Sequence, residues 1–418
     1  MPTHRGWVYK IRKHKSLIFI DLRTQDGILQ CVINQEKVSQ DTWNTALSLT
    51  QESSIEVDGE YKEEPRAPGG KELHIRSLKI YHIAETPYPL GKKEQPPDVI
   101  LMYRDLALRS PRYQAIMKVR ASVIEGFRKY LNSHGWIEVS PPIINFTACE
   151  GGATLFKIKY FDQDAYLSQS AQLYLEMMCP SLFKVWSLTP SFRAEKSRTR
   201  RHLAEFWHLE IEAAWLDMDG LMDVEEEMVK SAITHVLENN ERELVALGIN
   251  RTMLEKFITG RFERITYTKA IEILQSKGIQ ISWGSDLGAD EEKVLTSEIE
   301  RPMFVKDYPA KIKPFYVKLT GVNKEIGLSA DLMAPNYGEI STGGVREDDI
   351  NSLIQRIKES GFDPSAYEWY LDLRRYGSVP HAGCGFGIER FVQWILGLEH
   401  IRDSLPVPRM ARISEVRL

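Results

Sequence analysis

Positive charge is concentrated between two extended runs in TPSFRAEKSRTRRHLAEFWHLEIE, residues 189–212. Residues 193–202 hold five Arg or Lys against one Glu. An arginine fork donates several hydrogen bonds at fixed angles and suits phosphate oxygens. Arg193 falls on the first strand, and Arg200, Arg201 and His202 fall on the loop after it. Phe206, beside Glu205, is either a stacking ring or a core phenylalanine. Farther on, SADLMAPNYGEISTGGVR places Asp331 and Glu339 around a turn. Two carboxylates with triphosphate oxygens suit Mg²⁺, a hard cation; the same two acids would also suit a wet sheet edge. Gly343, Gly344 and Gly387 would let backbone approach a ligand. GCGFGIERFVQW sets Arg390 just after a glycine-rich turn that lacks the GK[ST] of a phosphate loop and follows no strand–helix crossover. The last stretch, QSAQLYLEMM at 169–178, carries Gln169, Gln172 and Glu176 among Leu173, Leu175 and Met177. It reads as a helix with a wet edge or as a pocket wall for a small polar ligand.

These residues need a scaffold. A chain of 418 residues with 43% hydrophobic and 27% charged content is an ordinary globular composition of about two domains. No apolar run is long enough to span a bilayer, so no membrane association is expected. MPTHRGWVYKIRKHK has no apolar core and does not read as a signal peptide. Cys31, Cys149, Cys179 and Cys384 lack CxxC spacing, which argues against a disulfide framework or cysteine zinc site and fits a reducing cytoplasm. The net charge of −4 does not mark a nucleic-acid binder, but residues 1–20 carry Arg5, Lys10, Arg12, Lys13 and Lys15 and no acid.

GWVYKI, SLIFIDLR, ILQCVIN, SSIEVDGEYKE and LHIRSLKIYHIAE predict a small β domain over 1–85, either a closed barrel of the OB type or a small sandwich. An outward Phe19 would give such a barrel a stacking surface for a base. Residues 86–110 read as a proline-rich linker or hinge. From 111 to 418 a larger domain follows. RYQAIMKVRASVIEGFRKYLNSHG, VEEEMVKSAITHVLENN and TKAIEILQSKG are helices by periodicity, with Gly135 stopping the first. Many strands with few βαβ units predict an α+β fold, an antiparallel sheet flanked by helices. Residues 240–300 read in part as a small insertion on its side.

The long helix with GWIEVSPPII, then FRAEKSRTRRHLAEFWHLEIE, then GFGIERFVQWILGLEHIRD, together resemble the three motifs of the class II aminoacyl-tRNA synthetases. Across essentially the whole chain the pattern is similar to the aspartyl/asparaginyl/lysyl subgroup, whose OB-type anticodon-binding barrel matches GWVYKIR…LIFIDLRTQDGILQCVI. It is most similar to asparaginyl members of archaeal and eukaryotic type. The resemblance implies roles. Arg193 would grip the α-phosphate and the amino acid's carboxylate, Glu195 the adenine amino group, and Phe206 the adenine ring. Arg201 and His202 would hold the outer phosphates. Arg390 would bind the γ-phosphate and close the adenine sandwich, and Asp331 and Glu339 would hold Mg²⁺ with ATP. Glu150, Ser170 and Gln172 would surround the α-amino group, and Phe19 and Gln30 would read the central anticodon base. A homodimer built through the first motif is also implied.

The choice of amino acid turns on a few positions. Aspartyl members carry a lysine where this chain has Leu175, and a carboxylate in a dry pocket without its cation is costly. By the resemblance, Glu176 would accept from an amide NH₂ and Arg346 would donate to the amide oxygen. The expected reaction is ATP-dependent activation of L-asparagine and transfer to the 3′-OH of tRNA(Asn). Rival readings are an aspartate-charging enzyme, an asparagine-making relative and a non-catalytic tRNA-binding paralogue.

Overall fold

The structure is a computed structural model describing residues 2–91, 95–147, 149, 154–196 and 199–411. The chain divides between Ala107 and Leu108 into two compact units.

In the first unit, β1 (Thr3–Lys13), β2 (Leu17–Thr24), β3 (Gly27–Asn34), β4 (Ser54–Glu63) and β5 (Lys71–His82) form a closed barrel in the order β1-β2-β3-β5-β4. The barrel expectation holds and the sandwich does not. Strict alternation drives it: Ile18, Ile20 and Leu22 of β2 are fully buried with Val8, Cys31, Ile33, Val57 and Leu73, while Phe19 and Asp21 between them point outward. Helix α1 (Gln40–Ser48), not foreseen from the sequence, is capped by the Ser39 hydroxyl and buries Trp43 and Ala46. The proline-rich linker expected at 86–110 does not stay irregular to its end. Pro97 sits in the first turn of α2 (Pro97–Met102), where its missing N–H costs nothing, and α3 (Arg104–Ala107) follows.

The second unit opens with α4 (Pro111–Ser133), capped by Ser110 and ended before Gly135, whose φ is +76°. Strands β6 (Ile137–Glu138), β7 (Ile144–Asn145), β8 (Lys157–Tyr160) and β9 (Gln163–Leu167) lead to α5 (Gln172–Leu182). The hairpin of β10 (Lys184–Phe192) and β11 (Glu205–Ala214) precedes α6 (Met218–Asn239). Residues 240–300 contain α7 (Glu241–Leu247), α8 (Arg251–Phe257), β12 (Glu263–Thr266), α9 (Tyr267–Ser276) and α10 (Ala289–Leu295). Then come β13 (Met303–Pro309), β14 (Leu319–Thr320), β15 (Ile326–Ala334), β16 (Gly338–Val345), α11 (Ile350–Glu359), α12 (Glu368–Arg375), β17 (His381–Gly387) and α13 (Ile388–Ile395).

The main sheet runs β12-β13-β15-β16-β17-β11-β10-β6. Its centre is antiparallel, as expected, and its outermost pairs, β12–β13 and β10–β6, are parallel. The 240–300 segment is therefore joined to the sheet through β12. Helices cover one face, where Phe127 of α4 packs on Phe386 and Phe391. The other face of β11, β17, β16 and β15 forms a floor for charged side chains.

Candidate active site

A cavity of about 630 Å³ lies over that floor. It is lined by Arg193, Glu195, Arg201, His202, Phe206, Asp331, Glu339 and Arg390, and by Ser170, Gln172, Leu175 and Arg346. Its volume suits one small-molecule complex. Glu150 lies outside the described residues. Phe19 and Gln30 belong to the barrel unit.

At one end, Phe206 opposes Ser191 in the β10–β11 register. Arg193, one residue past β10, holds its guanidinium 5.5 Å from the Phe206 ring centre, and its backbone N–H donates to Ala204. Arg390 in the first turn of α13 donates to Glu339 Oε1 at 2.7 Å. Arg201 lies 4.7 Å over the Tyr337 ring and donates to Glu292 Oε2 at 2.8 Å and to the Glu339 carbonyl at 3.0 Å. Glu292 of α10 was not foreseen, and no local sequence pattern marks it. Burial and the nearby Arg390 push the half-buried His202 imidazole below its ordinary value, which favours its neutral form.

The acids differ in their surroundings. Burial alone would raise the Glu339 carboxyl, but Arg390 and Arg201 outweigh it and hold it low. Asp331 is raised by burial against the opposing pull of Lys313, 3.2 Å away, and Glu339 raises it further. They share a face because of a bulge. Leu332 pairs with Ser341 and Met333 with Glu339, so Ile340 is the extra residue. That insertion turns Glu339 to the face of Thr342, the residue opposite Asp331.

At the other end, Arg346 donates from Nε and Nη2 to Glu212 at 2.8–3.2 Å. Glu212 stands on β11, with β17 between it and β16. Its carboxylate crosses directly over Gly383, where a Cβ would lie 2.1 Å from Glu212 Oε2. Gly385 makes the same room for His208, at 2.3 Å from Nε2. Glycine in this strand thus serves packing by side chains of the neighbouring strand. Glu210, two residues before Glu212, accepts from the Ser170 hydroxyl and from the Ala171 N–H at 2.8 Å. Burial raises it to about 7 despite those bonds.

The geometry corrects the role expected of Glu176. Its side chain is fully buried behind the cavity wall and is absent from the lining. Oε2 accepts from Tyr370 Oη at 2.7 Å, from Arg374 Nη2 at 2.8 Å and lies 3.0 Å from His381 Nε2. Oε1 accepts from Gln172 Nε2 at 3.0 Å. Arg346 comes no closer than 4.0 Å. The lining acid that meets Arg346 is Glu212. The signal for it was the period of two: once Phe206 was placed at the site on a strand, Glu210 and Glu212 belonged to the same face. Leu175 does line the cavity, where an aspartate-binding lysine was expected to be missing.

A closed barrel followed by this helix-backed sheet, with arginines and an aromatic ring converging on two acids, matches known families over both units. Residues 96–411 match the family model "tRNA synthetases class II (D, K and N)", and residues 3–81 match "OB-fold nucleic acid binding domain". The chain belongs to the class II tRNA synthetases of the D, K and N group. It is 52% identical to the asparagine–tRNA ligase of Pyrococcus abyssi over 97% of this chain and 93% of that protein. The crystal structure of asparaginyl-tRNA synthetase from Pyrococcus horikoshii, complexed with asparaginyl-adenylate, superposes with a TM-score of 0.94 at 50% identity. That match covers 98% of this chain and 94% of that one. The aspartyl tRNA synthetase of Entamoeba histolytica aligns with a TM-score of 0.84 at 26% identity, over 98% and 88% of the two chains. Within the class, the chain falls in the family of asparagine–tRNA ligases.

Proposed function

We propose that the cavity activates L-asparagine with ATP and that the asparaginyl group then passes to tRNA(Asn), on its 3′-OH. The carrying observation is the Arg346–Glu212 pair on the cavity wall. A guanidinium donates and a carboxylate accepts, which are the two ends of an amide. A second carboxylate in the substrate would face Glu212 across a dry pocket, so the arrangement disfavours aspartate. No lysine stands at Leu175 to compensate.

The first step needs no general base, because the substrate carboxylate is ionised at neutral pH. Arg193 aligns that carboxylate against the α-phosphate for in-line attack, with pyrophosphate leaving. Phe206 stacks on adenine, Glu195 accepts from its amino group, and Arg390 covers the opposite side while holding the γ-phosphate. Arg201 and His202 take the outer phosphates. Rate enhancement comes from positioning and from arginine charge placed where phosphoryl charge develops.

Asp331 and Glu339 fit a Mg²⁺ bound with the triphosphate. They share one face and are oxygen donors suited to a hard cation, and Glu339 adds to the cost of ionising Asp331, which Lys313 only partly offsets. Such an ion would supply charge neutralisation of the phosphate oxygens. Ser170, Gln172 and Glu210 supply acceptors for the α-ammonium, with Glu150 as a further candidate. In the barrel, Phe19 and Gln30 share the outward face, and Gln30 is held by Glu72 at 2.8 Å; they suit an anticodon base. Exposed Ile137, Phe183 and Trp215 support a homodimer, and buried cysteines without CxxC spacing support a cytoplasmic setting.

ATP–pyrophosphate exchange with asparagine and with aspartate tests the reading, followed by charging of purified tRNA. Exchange with aspartate equal to or better than with asparagine would overturn it. Adenylate formation without charging would favour the asparagine-making or non-charging relatives instead.

A further inference from the structure

We infer that Glu176 is a positioning residue that fixes which end of the Gln172 amide faces the substrate. The two residues stand one turn apart on α5, and Glu176 Oε1 receives Gln172 Nε2 at 3.0 Å in a buried contact. An ionised carboxylate can only accept. Burial opposes ionisation of Glu176, but Arg374 and His381 override it and hold the carboxyl far below its usual range. Gln172 must therefore turn its NH₂ toward Glu176. The carbonyl oxygen is left for the cavity that Gln172 lines.

That orientation matters for one ligand group above others. The neighbouring Ser170 and Glu210 make this corner acceptor-rich. A carbonyl pointing in completes a cradle for an ammonium, whereas an NH₂ pointing in would oppose it donor to donor. This rests on the reading of the cavity as an amino-acid site.

The network behind Glu176 makes the orientation sensitive to a single atom. Tyr370 Oη, Arg374 Nη2 and His381 Nε2 converge on Oε2. The Arg374 guanidinium can only donate, so the atom it meets must be an oxygen. In Glu176→Gln the glutamine oxygen must stay with them, so its NH₂ faces Gln172. Gln172 then turns its oxygen toward position 176 and its NH₂ toward the substrate.

The test compares asparagine with succinamate, which lacks the α-ammonium and serves as a competitive inhibitor. Glu176→Gln is expected to raise the KM for asparagine about 10- to 100-fold, the range for a lost charge-assisted hydrogen bond, with the succinamate Ki and the ATP KM nearly unchanged. Combining Glu176→Gln with Gln172→Glu restores an acceptor toward the cavity and is expected to recover most of the loss. Equal weakening of asparagine and succinamate, or a double variant no better than the single one, would overturn the proposal. Neutron diffraction from wild-type crystals reads the amide directly and does not depend on a variant folding. Deuterons between Gln172 and Glu176 support the assignment, and a bare Gln172 oxygen there overturns it. Wild-type enzyme that failed to activate asparagine would instead remove the amino-acid reading, leaving the neutron result to decide the amide orientation alone.

Discussion

Arg346 and Glu212 form a two-point ion pair across an intervening strand, with both Glu212 oxygens within 3.2 Å of the guanidinium. The contact exists because Gly383 offers no side chain between them. Each partner is buried, so neither can be removed without stranding the other.

Glu212→Gln should therefore lower kcat/KM for asparagine by about 100-fold or more, the range for a buried polar group left unmet. The ATP KM should change little, because Phe206, Arg193 and Arg390 are untouched. Arg346→Lys should show a similar loss, since an ammonium cannot reproduce the fork. Pyrophosphate exchange at varied asparagine and varied ATP measures both. Comparable loss in the two KM values would mean that the cavity has collapsed as a whole.

The Glu210 carboxyl, raised to about 7 by burial, gives the amino-acid step a pH dependence. Binding of an ammonium favours the ionised form. Lowering the pH through about 7 protonates free Glu210, so kcat/KM for asparagine should fall about tenfold per unit below that point. It should level off above it. In Glu210→Gln the value should be low throughout and the inflection absent.

The barrel makes a separable prediction. Phe19 is half-buried on the outer face, edge-on to His14 at 5.8 Å and with Arg12 at 5.9 Å from its ring centre. Phe19→Ala should raise the KM for tRNA about tenfold, in keeping with one lost stacking contact. Pyrophosphate exchange, which needs no tRNA, should be unaffected. A charging assay beside the exchange assay reads the difference.

Glu225 predicts a stability profile. It is fully buried beneath the sheet, accepts from Ser341 at 2.7 Å, and burial pushes it up to about 8 from an ordinary 4.5. Between those values the folded chain keeps a proton that the unfolded chain has lost. Stability conferred by that proton is complete at acid pH and is lost as the pH rises toward about 8. Glu225→Gln should flatten this decline, gaining on the order of a few kcal/mol at pH 8 relative to pH 5. Urea unfolding at the two pH values gives the comparison, and a parallel decline in the variant would assign the effect to the other buried acids.

Much of this site was legible in the sequence. Arg193 and Arg390 stood out as phosphate-binding candidates by local charge and nearby glycines, while Phe206 stayed open between a stacking ring and a core residue until the three motifs were matched. Alternation marked the five strands of the first unit but left a barrel and a sandwich both open, and the family resemblance pointed to the barrel. Glu176 was misplaced for a physical reason. A helix presents several faces, and the spacing from Gln172 says that the two residues are neighbours without saying which one faces solvent. Only the packing of α12 and β17, which bring Tyr370, Arg374 and His381 against it, decides that Glu176 turns inward. Glu292 was illegible for a different reason: its partner Arg201 is distant in the sequence, and nothing local distinguishes it from the acids beside it. Glu212 was readable from strand periodicity but needed Gly383 to make its reach possible.

The extra residue at Ile340 ties the two ends of the cavity to chain length. Glu339 and Arg346 are seven positions apart, an odd interval that a regular strand would send to opposite faces. The bulge restores the parity. Without it, the same interval would leave Glu339 and Arg346 in place in the sequence while turning their side chains to opposite faces. The number of residues between these two positions is thus a condition on the site, beside the identity of its side chains.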